Sequence, residues 1–144
     1  MKNLACVATI IGFSAPVFAG GHASGDLVNG EVQFDRQCVA CHVVRDDDGE
    51  TLAGRSARAG PNLYGIAGAR LASIDGFRYG DSLKNAAKID LVWTQDAFVA
   101  YVQDPTNWLR ETLDDRRARS KMGYKMRSAQ EALDIYSYLS SLAD

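Results

Sequence analysis

Five consecutive residues, Cys38-Val39-Ala40-Cys41-His42, constrain this chain more than any other feature. Two thiols three positions apart, followed at once by an imidazole, form the C-x-x-C-H pattern of haem attachment. The thiols add to the two vinyl groups of a haem, and their offset lets both reach one ring edge. His42 follows immediately, so its imidazole turns under the ring to bind the iron. A thioredoxin-like C-x-x-C sits in a βαβ pattern, which is lacking here, and leaves His42 without a task. A zinc site needs about four ligands, and beyond the motif the chain has only Cys6 and His22. A structural disulfide across so short a loop would remove little unfolded-chain entropy.

The N-terminus supplies the context. Lys2 precedes a mostly apolar, uncharged run over 4–18, and Val17-Phe18-Ala19 offers small residues at the positions a signal peptidase inspects. The run falls short of the roughly 20 residues of a membrane-spanning helix, and Pro16 interrupts its end. Cys6 precedes most of the run, the wrong side for lipid attachment. The expectation is a cleaved signal peptide at 1–19, loss of Cys6 with it, and a single periplasmic domain at 20–144 with no stable membrane insertion.

The patterning of that domain predicts an all-α fold with long loops. Leu27, Gly30, Phe34 and Cys38 recur at helical spacing, so an N-terminal helix should carry the motif on its last turn. Gly30 costs about 1 kcal/mol against Ala in a helix interior, which implies that another element crosses closely there. Ser128-Ala129-Gln130-Glu131 reads as a capping box, with Glu131 reaching back to the cap. Ile135, Tyr138, Leu139 and Leu142 then form one helical stripe, with Tyr138 near Gly30. Thr94 caps a middle helix bearing Phe98, Tyr101 and Val102. Asp104-Pro105 ends that helix and opens a short one. A weaker helix follows Asp81, and loops fill 43–76 and 110–121, without β alternation. With 13 glycines in 144 residues, a bound haem would serve as the central packing element and couple folding to cofactor binding.

Taken together these residues resemble the class I c-type cytochromes, most closely the bacterial cytochrome c2 and c550 group. The motifs that carry the likeness are Cys38–His42, Gly60-Pro61-Asn62-Leu63-Tyr64-Gly65, Gly76-Phe77-Arg78-Tyr79-Gly80, Trp93, Tyr101 with Pro105, and Lys121-Met122-Gly123-Tyr124-Lys125. The resemblance implies the class I fold: N- and C-terminal helices crossing, with one covalent haem c enclosed by helices and long loops. It implies that the Pro61 carbonyl accepts from the free ring N–H of His42. It further implies that Tyr79 and Trp93 donate to a buried haem propionate, and that Tyr101 lies on the methionine side of the iron. Outside the signal segment the methionines are Met122 and Met126. Met122 lies on an irregular loop and matches the family's Lys-Met-x-aromatic pattern, so it is the expected sixth ligand, with Met126 as packing. Many relatives carry an arginine where this chain has Ala69, and Arg70 follows one residue later.

Formal charge is −2, which points to neither nucleic acid nor a membrane surface. Within 110–127, however, seven cations stand against three carboxylates. Such a run is commonly a solvated face. Placed beside Met122 it also suits steering onto acidic redox partners, through Lys121, Lys125 and Arg127. The expected function is a monomeric electron carrier, not an enzyme. It would shuttle single electrons between a membrane reductase of the bc1 type and a reaction centre, oxidase or reductase, in photosynthesis or respiration. A cytochrome subunit fixed inside an enzyme complex is the alternative. A haem enzyme or gas-binding protein would need an open axial position, which Met122 is available to close.

Overall fold

A computed structural model describes residues 24–143. The expected signal segment, with Cys6 and His22, lies outside the described residues. Five helices dominate: α1 Leu27–Gln37, α2 Asp81–Ala87, α3 Gln95–Gln103, α4 Pro105–Leu113 and α5 Ala129–Ser141. No described helix is long and apolar enough to cross a membrane.

The helix starts follow capping chemistry. Asp26 accepts from the amides of Val28 and Asn29, Thr94 from Ala97, Asp104 from Asn107 and Ser128 from Glu131. Asp104 ends α3 and caps α4, with Pro105 as the first residue of the new helix. Half of the expected capping box differs: the Glu131 carboxylate accepts from Gln37 of α1 at 2.9 Å and does not serve the cap amide. An interhelical partner takes the side chain away from the local one.

The loop after the haem motif holds a small antiparallel hairpin, β1 Val44–Arg45 and β2 Thr51–Ala53. Strands this short leave no visible alternation in sequence. The turn is fixed by Asp46, whose side chain accepts from the Glu50 amide at 2.8 Å while its own amide donates to the Glu50 carbonyl.

α1 and α5 cross in close contact, α3 packs on α5, and α4 packs on α2 and α3. At the crossing a Cβ on Gly30 would stand 2.2 Å from the Asp134 carbonyl oxygen and 2.7 Å from the Tyr138 Cβ. Only a residue without a side chain fits, as the helix-interior glycine implied. Phe34, Ile135 and Leu139 are fully buried beside it. Polar bonds reinforce the crossing. The buried Asp134 carboxylate accepts from the Asp26 amide, Asn29 and Gln130, and Ser137 accepts from the Gly25 amide.

Candidate functional site

The haem motif occupies the turns that follow α1, not its last helical turn. α1 ends at Gln37, Cys38 is its C-cap, and the amides of Cys41 and His42 both donate to the Cys38 carbonyl, at 3.0 and 2.9 Å. This tight turn swings Cys41 and His42 away from the helix axis.

The neighbouring loop is stitched to the motif. The Gly60 amide donates to the Cys41 carbonyl at 2.7 Å, and Leu63 to Val43 at 2.9 Å. Asn62 clamps the backbone of Arg45 from both sides. Pro61 is thereby held with its carbonyl 3.0 Å from His42 Nδ1. The imidazole lies so flat on Gly60 that a Cβ there would come within 2.3 Å of His42 Cε1. With Nδ1 donating to Pro61, Nε2 remains as the lone-pair nitrogen. Burial pulls the His42 pKa down, only partly offset by the Pro61 hydrogen bond, so the ring is neutral at physiological pH, as a metal ligand must be.

Cys38, Cys41 and His42 open onto a mostly apolar cavity of ≈ 440 Å³. Leu63, Ile66, Leu83 and Phe98 contribute apolar surface, and Met122 and Met126 also line it. Cys38 and Cys41 form no disulfide with each other. Burial, and then the neighbouring Cys41, push the Cys38 thiol up to about 12. A protonated, buried thiol is a poor redox nucleophile.

Tyr79, Trp93 and Tyr101 all face the cavity. Trp93 is 6% exposed and lines the cavity, with its indole N–H as a potential donor to a group bound there. The Tyr79 hydroxyl is met by the Ile74 amide at 3.4 Å, which leaves its own proton free to donate. Burial raises the pKa of Tyr79 and of Tyr101, so both stay protonated as donors. Tyr101 bonds Ser120 Oγ at 2.8 Å, and the same oxygen accepts from the Met122 amide at 3.0 Å. Arg70 turns outward, pairs with Asp90 at 2.5 Å and stays outside the cavity lining.

The donor set fits a haem. Two thiols, one imidazole nitrogen and two thioethers share an apolar cavity whose wall also carries the Tyr79 hydroxyl and the Trp93 indole as hydrogen-bond donors.

Sequence reasoning missed several contributors. Arg36 and Gln37 at the end of α1 line the cavity, beside Arg119 and Lys121 of the basic 110–127 stretch. Gln37 also accepts from the Tyr124 hydroxyl at 2.7 Å, tying the methionine loop to α1. Arg36 was readable as a cation in the last turn of a predicted helix, two residues before Cys38. Ser120 and Gln37 carry no local signal, because their partners are distant in sequence. Of the expected docking cations, Lys121 donates to the Arg78 carbonyl at 2.7 Å. Lys125 is paired with Asp104 at 2.5 Å and does not line the cavity. Arg127 is exposed.

The family model for cytochrome c matches residues 27–143. Cytochrome c2 of Rhodovulum adriaticum is 56% identical over 119 residues, covering 83% of this chain and 94% of that one. Cytochrome c-551 of Roseobacter denitrificans is 45% identical over 142 residues, 99% of this chain and 96% of that one. The crystal structure of cytochrome c2 from Rhodobacter sphaeroides superposes with a TM-score of 0.80 at 42% identity, covering 83% of this chain and 97% of that one.

Proposed function

Because the chain belongs to the cytochrome c family, as a class I member of the c2 group, we propose that it is a periplasmic carrier of single electrons. It holds one covalently attached haem c, which supplies a one-electron iron couple when bound. The observation that carries the reading is the convergence of Cys38, Cys41, His42 and Met122 on one apolar cavity.

Each side chain has a task in that reading. Cys38 and Cys41 anchor the cofactor through thioether bonds. His42 offers Nε2 to the iron while Pro61 holds the ring and fixes its tautomer. Met122 offers the sixth ligand, a soft thioether that favours the reduced metal. Its amide is fixed by Ser120, which Tyr101 holds in turn. Met126 serves as packing: it is 4% exposed, with its amide bonded to the Val102 carbonyl. Tyr79 and Trp93 donate to a propionate, whose burial would otherwise be costly.

The same lining favours a carrier over a haem enzyme. Among the described residues it holds no carboxylate and no second histidine to act as acid or base on a substrate. Arg36, Arg119 and Lys121 make it cationic instead, a match for acidic partner surfaces. A bc1-type reductase is the proposed donor. A reaction centre, a terminal oxidase or a denitrification reductase is the proposed acceptor.

Stopped-flow mixing of the haem-loaded protein tests this directly. Reduction by a quinol–cytochrome c reductase and reoxidation by a membrane oxidase, with the sixth position closed throughout, are the expected results. Rapid binding of carbon monoxide to the reduced protein, with no electron exchange, would overturn the reading.

A further inference from the structure

Trp93 is clamped by its backbone at three points. Its amide donates to the Ala69 carbonyl at 2.8 Å, and its carbonyl accepts from the Gly68 amide at 2.9 Å. Both bonds come from the adjoining loop. The third comes from elsewhere: the Tyr136 hydroxyl, on α5, donates to the same Trp93 carbonyl at 2.8 Å. Tyr136 is 8% exposed, and its ring packs on Phe98 with centroids 5.4 Å apart. The Trp93 ring is held separately, between Tyr101 and Trp108 at 5.0 and 5.9 Å.

We infer that Tyr136 is a positioning residue that aims the Trp93 indole N–H into the haem cavity. The inference rests on the reading that this N–H serves a haem propionate. Stacking on Trp108 and the edge-on contact with Tyr101 orient the indole ring, and the backbone clamp sets how far into the cavity its N–H reaches. The loop bonds alone fix Trp93 to a segment that could shift with it. Tyr136 fixes it to α5, which is locked onto α1 at Gly30. α1 leads directly into Cys38. The thiol end of the cavity and its indole wall are thus referred to one rigid helix pair. Without the hydroxyl, the buried Trp93 carbonyl keeps the Gly68 bond but loses its tie to that pair. The indole bond to the propionate then lengthens, leaving more uncompensated negative charge near the iron, which favours the oxidised metal.

The test uses the haem-loaded protein and three variants, Tyr136→Phe, Trp93→Phe and the double. Tyr136→Phe keeps the ring that packs on Phe98. It should lower the midpoint potential in the same direction as Trp93→Phe but by less, and move the indole N–H resonance of Trp93. In the Trp93→Phe background, adding Tyr136→Phe should shift the potential no further. Tyr138→Phe, on the same helix without a bond to Trp93, should leave the potential unchanged and serves as the control for a general loosening of α5. Loss of stability in Tyr136→Phe with potential and resonance both unmoved would make the residue merely structural and overturn the inference. So would a full-sized shift that persists without Trp93. If Trp93→Phe itself leaves the potential unchanged, the propionate reading falls, and this inference with it. A shift in Trp93→Phe with Tyr136→Phe silent overturns this inference alone.

Discussion

At the scale of single residues, the proposed iron-binding face depends on groups that do not themselves reach the metal. Gly60 is one. Its missing side chain is the space the His42 ring occupies, and an aromatic ring held by Pro61 has little room to yield. Gly60→Ala should destabilise the protein by about 1–3 kcal/mol, in the range of core overpacking. It should also disturb the spectrum of the iron–imidazole bond; optical spectra beside a denaturant titration check both. The two methionines separate in the same way. Met122→Ala should open the sixth position and lower the potential, while Met126→Ala costs about 2–5 kcal/mol of stability as a buried truncation and leaves the ligand set intact. A spectral change confined to Met126→Ala would reverse the assignment. The attachment motif was legible because its chemistry lies within five adjacent residues. The Pro61 carbonyl came through family likeness, and Ser120 not at all, since a serine that bridges Tyr101 to the Met122 amide looks like any loop serine.

At the scale of elements, the α1–α5 crossing organises the rest. Most helix starts were legible because a cap and its target lie within three residues of each other. The glycine notch was legible because it breaks the helix rule it sits in. Asp134 was not: it reads as a polar position on α5, yet it is 2% exposed and accepts three hydrogen bonds from α1 and α5. Burial alone would raise its pKa, but the bonds from Asn29, the Asp26 amide and Gln130 outweigh that and hold it below the usual carboxylate value. A carboxylate depressed on folding contributes stability that is present above its unfolded pKa of about 3.9 and is lost as pH falls through the folded value. Asp134→Asn should therefore cost about 1–3 kcal/mol near neutrality, where it leaves a buried donor facing Asn29. It should also flatten the loss of stability in acid. Denaturant unfolding of the haem-loaded forms across a pH series checks this. An acid limb as steep as that of the unaltered protein would assign the effect to other carboxylates.

At the scale of the whole molecule, net charge says little and its placement says more. The basic stretch around Met122 was legible as composition, but which of its cations are free to meet a partner depends on folding. Lys125 is paired with Asp104 away from the cavity lining, whereas Arg119 and Lys121 stand at the cavity and α1 adds Arg36. Arg36→Glu or Arg119→Glu should lower the association rate with an acidic redox partner several-fold at low salt, and Lys125→Glu less. The differences should shrink as screening shortens the field to about 10 Å at 0.1 M salt. Stopped-flow rates across a salt series decide it, and a rate flat in salt would reduce the cations to a solvated face. If His42 and Met122 together close the iron of a carrier, a redox titration followed by optical spectroscopy will show it. The expected result is one single-electron transition, six-coordinate and low-spin in both oxidation states, with that ligation retained in Met126→Ala and lost in Met122→Ala. An iron that is five-coordinate in the unaltered protein, in either state, would contradict it.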